Sequence, residues 1–479
     1  MEGKGPAKAH QEEEMKKTKI IGLIAILAII VAACGDGDSE GTTTTGATEE
    51  PTTTEAMDDT TTTGAAGDTT TSAAGGDNPL ADYGEDPTAA DPALVEKALG
   101  PVEPSDEASW NIVLASIARA NQDLDQATID IAMTCWNEPE CDTGTGGELV
   151  MGYADGGGKT VNVWRGVSRM EAILQALSYP EIGTIVTTEA NFDQDPAVHI
   201  NGINFLVQYP VDFIVGYPDF GAALAQPIQA AEAAGIPYVS FSAGYVGLPG
   251  TEGALTPGTD YTSVVGENLC ALGESFAEVL NGNVAASGEI GLLGGTPNNA
   301  LTLGWQQCII PAVEEGGLVV ANPPANANTT TGDTFWVNSF ALDAMRGILT
   351  TNPDLGGWAY EYADGILTGL QAYDELGIPV QNLTVALRTD EQSLFCDWAE
   401  RNEPTYNIWF SAGGNFQSRT GVTAAMLALQ DADVPGEVIV PHVMRQVTPE
   451  NCDPDRPNAV VSGTSLVPDE VLALMFGGG

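Results

Sequence analysis

The sequence predicts an α/β protein with two lobes built on parallel sheets. Two observations carry this. From Glu148 onward, short apolar runs of strand length alternate with amphipathic stretches of helix length, and the alternation passes through two successive series. About 370 residues follow the low-complexity N-terminal part, more than one hydrophobic core usually holds.

The first series reads LVMGY (149–153), a helix near 162–178, GTIVTT (183–188), a helix near 196–208, DFIVGY (212–217), a helix near 221–234 and IPYVSF (236–241). The second begins with a helix near 266–281, then EIGLLGG (289–295), a helix near 300–315 and LVVANP (318–323). A helix near 340–350 leads to GWAYEY (357–362), a helix near 365–376, LTVALR (383–388) and a helix near 391–400. NIWFSAG (407–413), a helix near 417–430 and EVIVPHVM (437–444) complete it. Ahead of both series, Trp110, Val113, Leu114, Ile117, Leu124, Ile129 and Ile131 have helical spacing. They predict a helical extension over 107–146. Ligands of such sheets sit beyond the carboxyl ends of the strands, so a cleft between lobes is the expected site.

The N-terminus carries a different signal. Met15, Lys16, Lys17 and Lys19 form a charged region before an apolar run from Ile20 to Val31. That run is short for a membrane span. It ends in Val31-Ala32-Ala33-Cys34, which resembles the lipobox of bacterial lipoproteins. The resemblance implies cleavage of a 1–34 signal peptide before Cys34, with lipid attached to that cysteine and to the new terminus. More than one acyl chain is what stable anchoring needs. Residues 35–106 are rich in Thr, Gly, Ala, Ser and Asp, with threonine runs at 42–45, 52–54, 60–63 and 69–71. Such a segment buries too little apolar surface to offset its ordering entropy, so a disordered tether is expected there.

The formal net charge is −50, and after Cys34 only Lys97 and Lys159 are lysines. Nucleic acid is excluded as a partner, since its phosphates would be repelled. Seven cysteines minus Cys34 leave Cys135, Cys141, Cys270, Cys308, Cys396 and Cys452, an even number that suggests disulfides outside the cytoplasm. Fifteen pairings are possible for six cysteines, and proximity favours Cys135–Cys141. No CxxC pair occurs and the histidines at 10, 199 and 442 are scattered, which argues against a zinc site. No metal or cofactor is expected. Gly156-Gly157-Gly158-Lys159-Thr160 has a phosphate-loop look, but the glycine that pattern requires falls on Tyr153. The glycines read instead as a loop that approaches a ligand closely. No GxSxG elbow occurs, no carboxylate pair stands out among the abundant acids, and EF-hand spacing is absent.

Four segments resemble the ribose-type periplasmic binding proteins in the correct order. They are DFIVGYPDFGAALAQPIQAAEAAGIPYVSF (212–241), GEIGLLGGTPNNALTLGWQQC (288–308), NPDLGGWAYEYADGILTGLQAYDELG (352–377) and VPHVMRQVTPENCD (440–453). The resemblance spans about 147–455. It implies the type I periplasmic-binding fold, in which two Rossmann-like lobes are joined by three crossovers and close by hinge motion. The crossovers then fall near 242–262, 412–416 and 432–438. Lobe one takes 147–242 and 415–433, and lobe two takes 243–414 and 434–476. This division places Cys270–Cys308 and Cys396–Cys452 inside lobe two as staples that leave the hinge free.

The same resemblance implies a ligand set. The first-strand loop maps onto Asn162, Val163, Trp164 and Arg165, where Trp164 would stack on a sugar-like face and Asn162 would hydrogen-bond. The family's Asp-Arg falls on Ser242 and Ala243, its helix arginine near Trp305, and its later strand-end Asp on Arg388, all departures. Asp364 retains a loop carboxylate, Asp390 follows Arg388, and the hinge glutamine becomes Asn415. Trp164 and Trp305 imply an aromatic sandwich with a polar rim. The expected function is a lipid-anchored solute-binding protein on the extracytoplasmic face of a bacterial membrane. It would be monomeric, would not be an enzyme, and would deliver a sugar or polyol to an ABC permease. A ligand-sensing receptor of the same fold, or a nucleoside or organic-acid carrier, is the alternative.

Overall fold

The computed structural model describes residues 78–189, 195–286, 288–411, 414–454, 456 and 463–476. The expected signal segment, Cys34 and the 35–77 part of the expected tether lie outside the described residues.

Thirteen strands are present among the described residues: β1 Glu140–Asp142, β2 Leu149–Asp155, β3 Ile182–Glu189, β4 Phe213–Tyr217, β5 Tyr238–Ser240, β6 Ser263–Gly266, β7 Glu289–Leu292, β8 Val319–Val320, β9 Gly357–Tyr360, β10 Thr384–Leu387, β11 Asn407–Phe410, β12 Glu437–Ile439 and β13 Arg445–Gln446. They form a seven-stranded sheet of order β1-β3-β2-β4-β5-β6-β12 and a six-stranded sheet of order β13-β11-β10-β9-β7-β8. Only the edge strands β1 and β13 run antiparallel. The parallel strands between them are covered by helices on both faces, which is why β4 is buried at all five positions and reads as an unbroken apolar run. With β1, β12 and β13 set aside, the five remaining strands of each sheet follow the doubly wound order 2-1-3-4-5, with the switch point between β2 and β4 in one and between β7 and β9 in the other.

Several elements differ from the sequence reading. The single extension helix is two, Glu107–Ala120 and Gln126–Asn137, each opened by an aspartate cap, Asp106 and Asp125. Order also begins well before residue 107, inside the stretch expected to be a tether. Asp91 caps a helix over Pro92–Leu99, and Glu85 is buried against Arg119 and the Tyr179 hydroxyl, 2.8 Å away. A local polar composition therefore hid a docked segment. The expected lobe boundaries also shift. β6 and β12 pair with each other and with β5 in the seven-stranded sheet, although the sequence reading placed 263–266 and 437–439 with lobe two. The C-terminal stretch crosses back as well: helix Asp469–Phe476 sets Phe476 against Trp136 at a ring separation of 6.1 Å.

All three disulfides are present: Cys135–Cys141, Cys270–Cys308 and Cys396–Cys452. The last closes a sequence separation of 56 residues. Loop-closure entropy assigns such a link about 4 kcal/mol. The double variant Cys396→Ala/Cys452→Ala is accordingly expected to lose about that much stability in guanidinium unfolding.

Candidate ligand-binding site

The site lies where the carboxyl ends of the two sheets face each other. Asn162 caps helix Val163–Leu177, accepting the Arg165 amide at 2.9 Å. This sets Trp164 and Arg165 in the first turn, just beyond β2. Tyr217 ends β4, Ser242 follows β5, Glu361 and Tyr362 follow β9, and Arg388 and Thr389 follow β10. With Leu301 and Trp336, these residues line a tight cavity with about 30 Å³ of solvent-accessible space. That is room for about two water molecules.

The lobes are closed around it. The Asn162 side-chain amide donates to the Trp336 carbonyl at 3.4 Å, and Asn299 donates to the Asp219 carbonyl at 2.8 Å. Aromatic faces form much of the wall. Trp164 lies over Phe241 at 6.2 Å and meets Tyr217 edge-on, and Tyr217 meets Trp336 edge-on at 5.9 Å.

Three buried charge clusters stand behind these rings. Arg165 is gripped by Asp155 and Asp219. Arg388 donates to Glu267 and to the Ser242 hydroxyl, each at 2.8 Å, while its Nε is buried without a partner among the described residues. Glu361 accepts from the Trp305 indole at 2.5 Å, from Trp336 at 2.5 Å and from Thr302 at 2.6 Å. Burial raises the Glu361 pKa against those three donors. Burial likewise moves Asp219 up to about 6, despite Arg165. Burial pushes Glu267 up, but the Arg388 charge and hydrogen bond, its own backbone amide and the nearby His442 together outweigh that and hold it below its ordinary value.

Backbone strain concentrates here. Ser242 and Ala243 have φ of 61° and 52°, and Phe335 and Trp336 both have 54°. Left-handed non-glycine residues in tandem are costly and cluster at ligand sites. The second pair lets the Trp336 ring lie against Gly295, where an added Cβ would meet the ring at 1.9 Å. The glycines at 156 and 157 are also close-approach positions, but what approaches them is protein. A Cβ at Gly156 would sit 2.1 Å from Asp219, and one at Gly157 would sit 2.5 Å from Arg165.

Of the residues expected at the site, Asn162, Trp164, Arg165, Ser242 and Arg388 come together at the cavity. The other four do not line it. Trp305 is fully buried and reaches the cavity only through Glu361, so Trp336 takes the place of the second aromatic wall. Asp364 turns to Ser393 and Tyr362. Asp390 accepts the Thr464 amide at 3.0 Å and lines a separate cleft. Asn415 supports the site from behind, donating to the Trp164 carbonyl at 2.9 Å and to Ser168. Tyr217, Leu301, Trp336, Glu361, Tyr362 and Thr389 were not singled out from the sequence. The strand-end positions of Tyr217 and Glu361 were a usable signal.

The sequence model for the family described as "Periplasmic binding protein domain" matches residues 170–443. The chain belongs to the periplasmic binding protein family. Solved structures agree at the level of fold. A solute-binding protein of an ABC transporter from Agrobacterium vitis, with bound D-fucose, is 16% identical over 65% of this chain and 99% of its own, with a TM-score of 0.53. One from Mycobacterium smegmatis with bound glycerol is 18% identical over 64% and 96%, at 0.51. The arabinose-transporter component from Shewanella sp. ANA-3, bound to L-arabinofuranose, is 14% identical over 62% and 92%, at 0.51. No curated protein matches the chain.

One further group of this periplasmic binding protein sits beneath the cavity. Both ring nitrogens of His199 are buried without partners among the described residues, and Phe220 packs edge-on against the ring. Asp155, Arg165 and Asp219 surround it, and burial lowers its pKa to about 4. The unfolded chain binds a proton here near pH 6.5 and the folded one does not. Stability from this group is therefore full above pH 6.5 and is lost as pH falls toward 4. Relative to His199→Gln, the wild type is expected to lose roughly 3 kcal/mol over that interval, read by denaturant unfolding at a series of pH values.

Proposed function

We propose that this protein is a lipid-anchored solute-binding component of an ABC importer, held through Cys34 on the extracytoplasmic face of the membrane. It captures a small neutral polyhydroxylated solute, a sugar or polyol, between its lobes and presents it to a permease as a monomer, without chemical turnover. The observation that carries this reading is the cavity itself. Flat aromatic faces from Trp164, Tyr217 and Trp336 stand beside buried, pre-aligned hydrogen-bonding groups on Arg388, Glu361 and Asn162. Rings and hydroxyls of a sugar match that alternation of apolar face and polar edge.

Charge favours a neutral solute. Arg165 and Arg388 line the cavity beside Glu361, but each arginine is already paired behind it, Arg165 with Asp155 and Asp219 and Arg388 with Glu267. An organic acid would therefore meet no unpaired cation there and would face the Glu361 carboxylate. The sugars and polyol named for the solved relatives belong to the same class.

The test is thermal unfolding of the protein against monosaccharides, polyols, nucleosides, amino acids and organic acids. A ligand that binds only the folded state raises the midpoint by mass action. A rise confined to sugars or polyols is expected. A rise confined to organic acids or amino acids would overturn the proposed solute class.

A further inference from the structure

A second cleft shares the loop after β10 with the first but has its own lining. It lies between helix Pro92–Leu99, the loop after β10, β11, β13 and the returning C-terminal stretch, and offers about 310 Å³ of solvent-accessible space. In so acidic a chain, cations are normally claimed by carboxylates. Every arginine among the described residues has a carboxylate partner except Arg445. Of the two described lysines, Lys159 donates to the carbonyls of Trp136 and Asn137, whereas Lys97 makes no hydrogen bond or close ion pair among the described residues and feels Glu171, Asp469 and Asp390 only at longer range. Arg445 and Lys97, the two cations left over, line the same cleft.

Their setting makes this consequential. The Arg445 guanidinium lies over the Phe410 ring at 4.9 Å, and its Nε and Nη2 are buried without an acceptor. Buried N–H groups on a charged side chain are costly to leave unmet. Lys97 is half-buried, and burial lowers its pKa, with the Arg456 charge adding to the effect. Arg456 itself is tied to Asp469. Phe395 and Phe410, 4.9 Å apart, form an apolar wall. Asp390, Glu450 and Asp453 also line the cleft, which limits how much negative charge it accepts.

We propose that this cleft is a second ligand site, binding a small organic monocarboxylate. The carboxylate bridges Arg445 and Lys97, the geometry a guanidinium and an ammonium offer together, and the carbon body rests on the two phenylalanines. A dianion is disfavoured by the three neighbouring acids. The occupant would fasten the N-terminal segment to lobe two.

The experiment is isothermal titration of the full-length protein with benzoate, with inorganic phosphate as a second arm. Saturable one-to-one binding of benzoate is expected, and weaker or no binding of phosphate. Arg445→Gln and Lys97→Met should each weaken benzoate at least about tenfold, the worth of one charge-assisted hydrogen bond. Arg445→Lys, which keeps the charge, should retain part of the affinity and guards against a folding defect in the glutamine variant. Absence of saturable benzoate binding would overturn the proposal. So would benzoate binding that Arg445→Gln and Lys97→Met leave unchanged, and phosphate binding tighter than benzoate would overturn the assigned ligand class. None of these readings depends on whether the inter-lobe cavity binds a sugar.

Discussion

Arg388→Ala is expected to weaken solute binding by on the order of 100-fold or more, the cost of truncating one partner of a buried charge pair at a binding site. The side chain is 2% exposed and lines the cavity, and it joins the loop after β10 to Glu267 and Ser242 on the other sheet's crossovers. Its loss removes a donor from the site and leaves Glu267 buried with no counter-charge, a defect of about 3–5 kcal/mol in folding. The two effects separate in the double variant Arg388→Met/Glu267→Gln, which discharges both partners. Denaturant unfolding of that variant should recover most of the lost stability. Titration calorimetry should show that affinity does not recover. Wild-type affinity in a folded Arg388→Ala protein would remove this arginine from the binding account.

Glu171→Ala is expected to be the most destabilising single change on the lobe-one side, at about 3–5 kcal/mol. Glu171 is fully buried on helix Val163–Leu177 and pairs with the equally buried Arg419. Its other oxygen accepts from the Ser465 hydroxyl and the Leu466 amide at 2.7 Å and from the Val467 amide at 3.2 Å. One carboxylate thus ties the C-terminal stretch to the first lobe. Its removal strands Arg419 and frees three donors together. Hydrogen exchange should show protection lost first over residues 465–476, and equilibrium unfolding should report the drop in stability. Retained protection there would contradict the tie.

The fold was legible because buried parallel strands write themselves as apolar runs. FIVGY of β4 and the strand that precedes Asn162 stand out by composition alone. Asn162 was legible for a local reason too, since a cap residue before a helix fixes its neighbours. Arg388 was found by its place at a strand end, but its partner Glu267 lies 121 residues away in sequence and left no local trace. Trp305 was misplaced because helix Ala300–Glu315 is apolar around much of its circumference. Its periodicity does not say which tryptophan edge faces the cleft. Trp336 was missed because its position depends on two left-handed residues and on Gly295, none of which forms a pattern. The ordered segment after residue 77 was misread for the opposite reason. The Asp91-Pro92 cap was visible, but averaging composition over a long polar stretch concealed it.

The most direct measurement is a crystal structure of the protein grown with whichever solute raises its unfolding midpoint most. Density for that solute is expected between Trp164, Tyr217 and Trp336, with a hydroxyl within hydrogen-bond distance of Arg388. Density for the solute elsewhere on the protein, with this cavity left without it at saturating concentration, would show that the cavity is not the solute site.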